Sequence, residues 1–311
     1  MKIVFMGTTD FSVPILKSLA NHHEITLVVT QPDRPFGRKQ VLKPSPVKMA
    51  AIHLGLPIFQ PEKIKQDHQS ILDAAPDVII VAAYGQMIPK VLLNLPRFGC
   101  INVHASLLPK YRGGSPMHTA IKNGDKETGV TIMYMALKMD AGDLLDQASI
   151  PIEATDNVGT IESKLSVLGS SLLLETLLKV ENHTAIPIPQ DETKVTFAWN
   201  IKPEEEALNF DQSAKDIVDH VRAFNPWPVA HLTVDDQIIK VLEARVSEHT
   251  VASNIPNGTV VAIQKGEVHI KVESGAIVLK TIQPAGRTPM DIQAYMNGAG
   301  KSVFSVGKRL K

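Results

Sequence analysis

The sequence predicts an α/β protein in two parts: a Rossmann-like domain with a mainly parallel sheet, then a smaller OB-like β-barrel domain. Three observations carry this. Short apolar segments alternate with helix-patterned ones as far as residue 181, the pattern of a parallel sheet with crossover helices. Residues 182–206 carry Pro187, Pro189 and Pro203 around the run Asp191-Glu192-Thr193-Lys194, and read as a linker. Beyond it, short alternating segments recur at regular spacing, as in a small barrel. The expected domains are therefore 1–181 and 207–311, joined by 182–206.

In order, residues 2–6 (strand), 10–21 (helix) and 24–30 (strand) open the chain as a βαβ unit. The turn Gly7-Thr8-Thr9 lacks the G-x-G-x-x-G pattern, so no dinucleotide is predicted. Residues 31–45, broken by Pro32, Pro35, Gly37 and Pro44, read as an irregular loop long enough to be functional. A helix over Pro46–Leu54 begins with proline in its first turn. Strands near 57–59 and 77–82 flank a helix around 66–74. Ala82-Ala83-Tyr84-Gly85 ends a strand, and Ile88-Pro89 opens a helix leading to the strand 99–104. A helix over 115–123 follows, then strands 129–135 and 144–150 with Asp140 on the loop between them. Residues 158–181 form a long amphipathic helix whose Leu165, Leu168 and Leu172 are expected in the core. The second part is read as a helix over 213–223 and strands over 229–234, 237–243, 258–264, 268–272 and 277–282. Trp227, between Pro226 and Pro228, is expected to anchor the start of that domain.

Hydrophobic residues make up 44% and charged residues 21% of the 311, the composition of a globular protein with an adequate core. No stretch approaches the length of an apolar membrane span, so no membrane association is expected. The opening Met1–Gly7 reads as a strand rather than a secretory signal. Cys100, the one cysteine, lies in an apolar strand and reads as a packed thiol in a reducing, cytoplasmic compartment. A net charge of zero argues against a surface that is basic throughout, though local patches still decide nucleic-acid binding. Arg34, Arg38, Lys39, Lys43 and Lys48 form one such patch. Lys301, Lys308, Arg309 and Lys311 form another, which as a tail alone is read as a solvated surface.

The chemistry concentrates in Ile101-Asn102-Val103-His104-Ala105-Ser106-Leu107-Leu108-Pro109 and Met139-Asp140-Ala141-Gly142-Asp143. Residues two apart on a strand share a face, so Asn102 and His104 project side by side. An amide donor, an imidazole and a carboxylate suit acyl chemistry without a Ser or Cys nucleophile: Asn donates to an oxyanion, His moves a proton, and Asp fixes the state of the His. Taken alone, Asn-x-His at a strand end is more often a hydrogen-bonded structural pair. The glycine-rich, basic loop Pro109-Lys110-Tyr111-Arg112-Gly113-Gly114-Ser115-Pro116 shifts the balance, because open α/β sheets bind ligands beyond the carboxyl ends of their strands. Asp140 is assigned to pairing with His104 and Asp143 to orienting the loop. No His or Cys stands beside them at ligand spacing, so no metal is expected. His118, His22, His23 and His183 are read as structural or surface residues.

Asn102-x-His104, Ser106–Pro109, Arg112-Gly113-Gly114 and Asp140-x-Gly142-Asp143 resemble the signature of the folate-dependent formyltransferases. So do Phe5-Met6-Gly7-Thr8-Thr9-Asp10-Phe11, Gln31–Pro35, Pro44–Lys48 and Arg222–Pro228, so that the resemblance covers nearly the whole chain. Thr9 stands where the family pattern has proline, a departure that touches a turn rather than the chemistry. The resemblance implies an enzyme that passes the formyl group of 10-formyltetrahydrofolate, its co-substrate, to the α-amino group of a methionyl initiator tRNA in translation initiation. It implies Asn102, His104 and Asp140 as the catalytic set. Folate would bind along Ser106, Leu107, Leu108 and Pro109 and at Tyr84, Gly85, Gln86 and Met87. The tRNA would be gripped by Arg34, Arg38, Lys39 and Lys43, and by the C-terminal barrel. A monomer is expected.

Three rivals stand beside this reading. A relative acting on a small amine such as glycinamide ribonucleotide would need neither residues 207–311 nor the basic residues of the 31–45 loop. A hydrolase could use water in place of the amine. An RNA-binding module with an inactive first domain is opposed by the complete Asn102, His104 and Asp140 set.

Overall fold

A computed structural model describes residues 1–36 and 41–311, which cluster into two compact units. The first comprises residues 1–116, 127–151 and 162–198; the second comprises 117–126, 152–161 and 199–311.

In chain order residues 1–181, which contribute to both units, run β1 (Lys2–Gly7), α1 (Ser12–His22), β2 (Glu24–Val29), β3 (Arg34–Phe36), β4 (Val41–Lys43), α2 (Pro46–His53) and β5 (Ile58–Phe59). They continue through α3 (Gln69–Asp73), β6 (Val78–Ala82), α4 (Lys90–Leu93), β7 (Cys100–His104), α5 (Pro116–Lys122), β8 (Glu127–Tyr134), β9 (Leu144–Pro151) and α6 (Val158–Glu181). The main sheet has seven strands in the order β5-β2-β1-β6-β7-β8-β9. Neighbours from β5 to β7 pair in parallel, while β7-β8 and β8-β9 are antiparallel. The central strands are apolar almost throughout, as strands covered on both faces must be: Ile3–Met6, Val78–Ile80 and Ile101 are fully or almost fully buried. The chain runs outward from β1 to β2 and β5, then returns to place β6 on the other side of β1. That reversal makes a topological switch point at the carboxyl ends of β1 and β6, the position where open α/β sheets take ligands.

Local chemistry explains several boundaries. Ser45 caps α2 by accepting the Lys48 N–H at 3.0 Å, and Pro46 opens the helix without wasting a donor. Gly7, the last residue of β1, must be glycine, because a Cβ there would stand 2.8 Å from both Phe5 Cε1 and Ser12 Cβ. The loop predicted over 31–45 contains a two-stranded ribbon, β3 and β4, in register Arg34↔Lys43, Pro35↔Leu42 and Phe36↔Val41. Proline tolerates such an isolated edge, which is why Pro35 misled a local reading. The buried stripe of α6 is Ile161, Leu165, Leu173, Leu177 and Val180; Leu168 and Leu172, expected in the core, are only half-buried.

The second unit carries α7 (Ala214–Phe224), β10 (His231–Val234), β11 (Gln237–Val246), β12 (Val260–Gln264), β13 (Glu267–Lys271), β14 (Ala276–Pro284), β15 (Met290–Asp291), α8 (Ile292–Met296) and α9 (Gly300–Val303). Its antiparallel sheet runs β10-β11-β14-β13-β12, with β15 added to β14. Val241, Val260, Val268, Ile270, Ile277, Leu279 and Ile282 are its buried core. The chain end joins the two edges: Val260 N–H donates to Lys308 O at 2.8 Å, and Lys311 N–H to Thr233 O at 3.0 Å. The sheet so closed is the expected barrel-like form; the tail's backbone is its closing segment, while the side chains of Lys301, Arg309 and Lys311 are exposed, as expected of a solvated surface. Trp227, predicted as an anchor, is 66% exposed instead. Its ring meets His118 edge-on, and its carbonyl lies 3.2 Å from His118 Nε2.

Candidate active site

β7 lies between β6 and β8, with Asn102 opposite Val81 and Met133, and His104 opposite Thr131. Both polar residues are thereby carried into the sheet, Asn102 at 9% and His104 at 6% exposure. His104 Nε2 lies 3.0 Å from the Tyr111 carbonyl, which can only accept, so Nε2 carries a hydrogen. A proton on Nδ1 then makes the ring cationic. Nδ1 lies 3.8 Å from Asp140 Oδ2, beyond hydrogen-bond range, so the carboxylate acts on the ring as a charge and leaves Nδ1 open to a further acceptor. Asn102 shares its face of β7 with His104, so its amide lies on the imidazole's side of the strand.

Asp140 is held tightly. Its backbone adopts φ +48°, a left-handed conformation that few non-glycine residues take, and Oδ2 accepts the Gly113 N–H at 2.8 Å. Gly142 follows where a Cβ would stand 1.8 Å from the Tyr134 carbonyl, so that only glycine lets the loop close on β8. The loop after β7 is clamped by residues 196–198. Arg112 N–H donates to Thr196 O at 2.9 Å, Ala198 N–H to Arg112 O at 2.8 Å, and Ser115 N–H to Ala198 O at 3.1 Å. Arg112 is fully buried and pairs with Glu192 at 2.7 Å; together with Lys138 it holds the Glu192 carboxyl down to about 2. The arginine of the basic loop is thus part of the scaffold. Glu192 and its neighbours Gln190 and Thr196 fall in the stretch read as linker, and no local pattern distinguishes them.

Ser106–Pro109 turns immediately beyond His104. The Ser106 hydroxyl donates to Lys110 O at 2.7 Å, and Thr131 Oγ1 ties the turn to β8 by accepting the Leu108 N–H and donating to Ser106 O. Gln147 donates to Leu108 O at 2.7 Å. Ser106 and Leu108 are buried, Leu107 and Pro109 half-buried. At the end of β6 the four candidates divide. The Tyr84 ring packs in the core, where burial pushes its hydroxyl up to about 12, and its carbonyl accepts from Thr8 Oγ1 at 2.9 Å. Gln86 accepts the Ile64 N–H and steadies the 61–64 turn. Gly85, at φ +89°, and Met87, 67% exposed, lie on the surface just beyond β6.

Of the basic candidates, Arg34 pairs with Glu62 at 2.9 Å on the surface, and Lys43 is exposed on the strand opposite. Arg38 and Lys39 lie outside the described residues. Cys100 is a packed thiol as expected, donating to Leu92 O and pushed up to about 12 by burial. Among the described residues no cluster of His, Cys, Asp and Glu could hold a metal ion, and no helix is long and apolar enough to cross a membrane.

The open α/β sheet thus ends in a buried amide and imidazole beside a half-buried carboxylate, a set suited to acyl-group transfer. Residues 1–177 match the family described as "Formyl transferase", and residues 200–300 match "Formyl transferase, C-terminal domain". The chain belongs to the formyl transferase family. It is 50% identical over 315 residues to a methionyl-tRNA formyltransferase of Lysinibacillus sphaericus, covering 99% of both chains. It is also 50% identical to the enzyme of that name from Latilactobacillus sakei, over 99% of this chain and 97% of the relative. A solved methionyl-tRNA formyltransferase from Clostridium thermocellum shares the fold at a TM-score of 0.57 and 15% identity, covering 88% of this chain and 100% of that one.

Proposed function

We propose that the chain transfers the formyl group of 10-formyltetrahydrofolate to the α-amino group of methionyl initiator tRNA, with Asn102, His104 and Asp140 as its catalytic set. Asn102 and His104 on one face of β7, with the Asp140 carboxylate 3.8 Å from the imidazole, support the assignment of the site, and whole-length kinship with methionyl-tRNA formyltransferases supports the substrates. The neutral amine attacks the formyl carbon. The oxygen of the tetrahedral intermediate is stabilised by the Asn102 amide and by His104 Nδ1–H, which Asp140 does not occupy. Asp140 draws the proton from the attacking nitrogen, and His104 returns one to N10 as the C–N10 bond breaks. The net change is one proton moved from amine to N10, with tetrahydrofolate as leaving group. No metal is needed for these steps.

Folate sits in the crevice bounded by Gly85, Met87 and the Ser106–Pro109 turn, with Tyr84 and Gln86 shaping its wall from behind. Residues 1–181 then carry the chemistry. The barrel of residues 207–311 and the basic residues Arg34, Arg38, Lys39 and Lys43 hold the tRNA. The protein works as a cytoplasmic monomer. Incubating it with 10-formyltetrahydrofolate and charged initiator tRNA, against free methionine, small amines and water, tests the reading. Formylation confined to the charged tRNA supports it; equal turnover with a small amine or with water alone overturns it.

A further inference from the structure

Within the stretch between residues 188 and 198, Gln190 bonds the Asp140 loop directly, and the chemistry above does not use it. Gln190 donates from Nε2 to two carbonyl oxygens of the Asp140 loop, Asp140 O and Gly142 O, each at 2.8 Å. Its Oε1 accepts from Arg112 Nε at 3.1 Å and Nη2 at 2.8 Å. The orientation of the amide is therefore fixed, since only its oxygen can face a guanidinium and only its nitrogen can face carbonyls. Arg112 is held in turn by Glu192, and Arg112 Nη1 has no partner among the described residues, so Gln190 and Glu192 account for the side-chain bonds of this buried cation. At the other end, Asp140 sits at φ +48°, a conformation that persists only when its surroundings impose it.

We infer that Gln190 is a positioning residue for formyl transfer: clamped by Arg112, it holds the backbone of the Asp140 loop so that the Asp140 carboxylate faces His104. This rests on the reading of His104 and Asp140 as catalytic. The backbone at Asp140 has two imposed contacts, the Gly113 N–H on the side chain and the Gln190 amide on the carbonyl. Removing the second frees the loop to relax from its left-handed conformation while the first remains. A shift of about an ångström in a catalytic group costs up to roughly a hundredfold in rate.

Two variants separate this from a merely structural role. Gln190→Met keeps the shape and removes both bonding ends. Gln190→Glu keeps the oxygen for Arg112 but sets an acceptor against two carbonyls. Both should lower kcat roughly ten- to hundredfold, with the KM for tRNA and for formyl-folate within about twofold of the parent. Each should cost little further when combined with Asp140→Asn, because the residue it positions has already lost its charge. Gln190→Glu with parental kcat would confine the residue to supporting Arg112 and overturn the inference, as would equal losses in the parent and Asp140→Asn backgrounds. If Asp140→Asn alone leaves kcat unchanged, the reading of the catalytic set fails instead. Should Gln190→Met fold poorly by circular dichroism, Gln190→Glu, which retains the Arg112 contact, decides the matter.

Discussion

Oδ2 of Asp140 lies 3.8 Å from Nδ1 of His104, and the two are too far apart to share a hydrogen bond. The same oxygen accepts the Gly113 N–H at 2.8 Å, so the carboxylate is anchored by the backbone rather than by the imidazole. Asp140→Asn should therefore preserve the loop, since an amide oxygen can still accept from Gly113, while removing the charge that acts on His104. Turnover should fall by about 10²–10⁴ with little change in melting temperature. Asn102→Ala and His104→Ala should each cost a similar factor, and paired changes should cost less than the product of the singles. A His104→Ala enzyme with near-parental kcat at saturating substrates would remove this residue from the mechanism.

How much of this was legible from the sequence depends on the range of the interactions involved. The β1–α1–β2 start, α2 with its Ser45 cap and Pro46, and the 158–181 helix follow from periodicity and capping, which are local. Asn102 and His104 were readable because alternation on one strand puts them together. The ribbon of β3 and β4 was not, because Pro32, Pro35 and Pro44 dominate any local reading and only cross-strand pairing reveals it. Trp227 illustrates the limit of composition: flanking prolines suggested an anchor, yet the ring is exposed beside His118. Gln190 and Glu192 were illegible for a third reason. Their partners, Arg112 and the Asp140 loop, are far away in the chain, and a polar, proline-rich stretch carries no periodicity to betray a buried contact.

The folate crevice is best probed away from Leu108. That side chain is 3% exposed, so a tryptophan there would strain the core as well as any pocket. Gly85 is the cleaner site: its φ of +89° disfavours any side chain, yet a Cβ would approach only Gln31 Nε2, at 3.7 Å. Gly85→Ala should shift the 84–87 backbone and weaken binding of a stable folate analogue roughly tenfold by calorimetry, with tRNA affinity unchanged. Parental affinity would move the pocket away from the end of β6.

His220 should make the second unit sensitive to mild acid. Its ring is buried against Phe224, with centroids 4.4 Å apart, and burial first, then the neighbouring Lys122, lowers it to about 4. The unfolded chain takes up a proton near the ordinary value of 6.5 that the folded chain refuses. The contribution is therefore fully present above about pH 6.5, declines as pH falls, and is lost below about 4, a change of roughly 3 kcal/mol at most. His220→Phe keeps an aromatic ring without the titration. Relative to the parent, its melting temperature should rise on going from pH 7 to pH 5; a constant difference across that interval would show that His220 titrates normally.

The basic ribbon should contribute to tRNA binding through phosphate contacts. Register places Arg34 directly opposite Lys43, with Leu42 beside it 64% exposed, and Arg38 and Lys39 fall on the segment joining the two strands. Arg34 pairs with Glu62 only at the surface, with both side chains more than half exposed, and such a pair is worth about 1 kcal/mol or less. It is readily exchanged for a phosphate. Arg38, midway along the basic run from Arg34 to Lys43, is the strongest single candidate. Arg38→Ala should raise the tRNA KM or lower kcat with tRNA, and should flatten the log–log dependence of tRNA binding on salt by about one unit. Arg34→Ala should have a smaller effect, because wild-type Arg34 must first give up Glu62. Folate affinity should hold in both variants, since neither residue is assigned to that crevice. Turnover measured at two salt concentrations decides between the ribbon as a tRNA grip and as a solvated surface. An Arg38→Ala enzyme matching the parent at both salts would leave the ribbon without this role, whatever the barrel contributes.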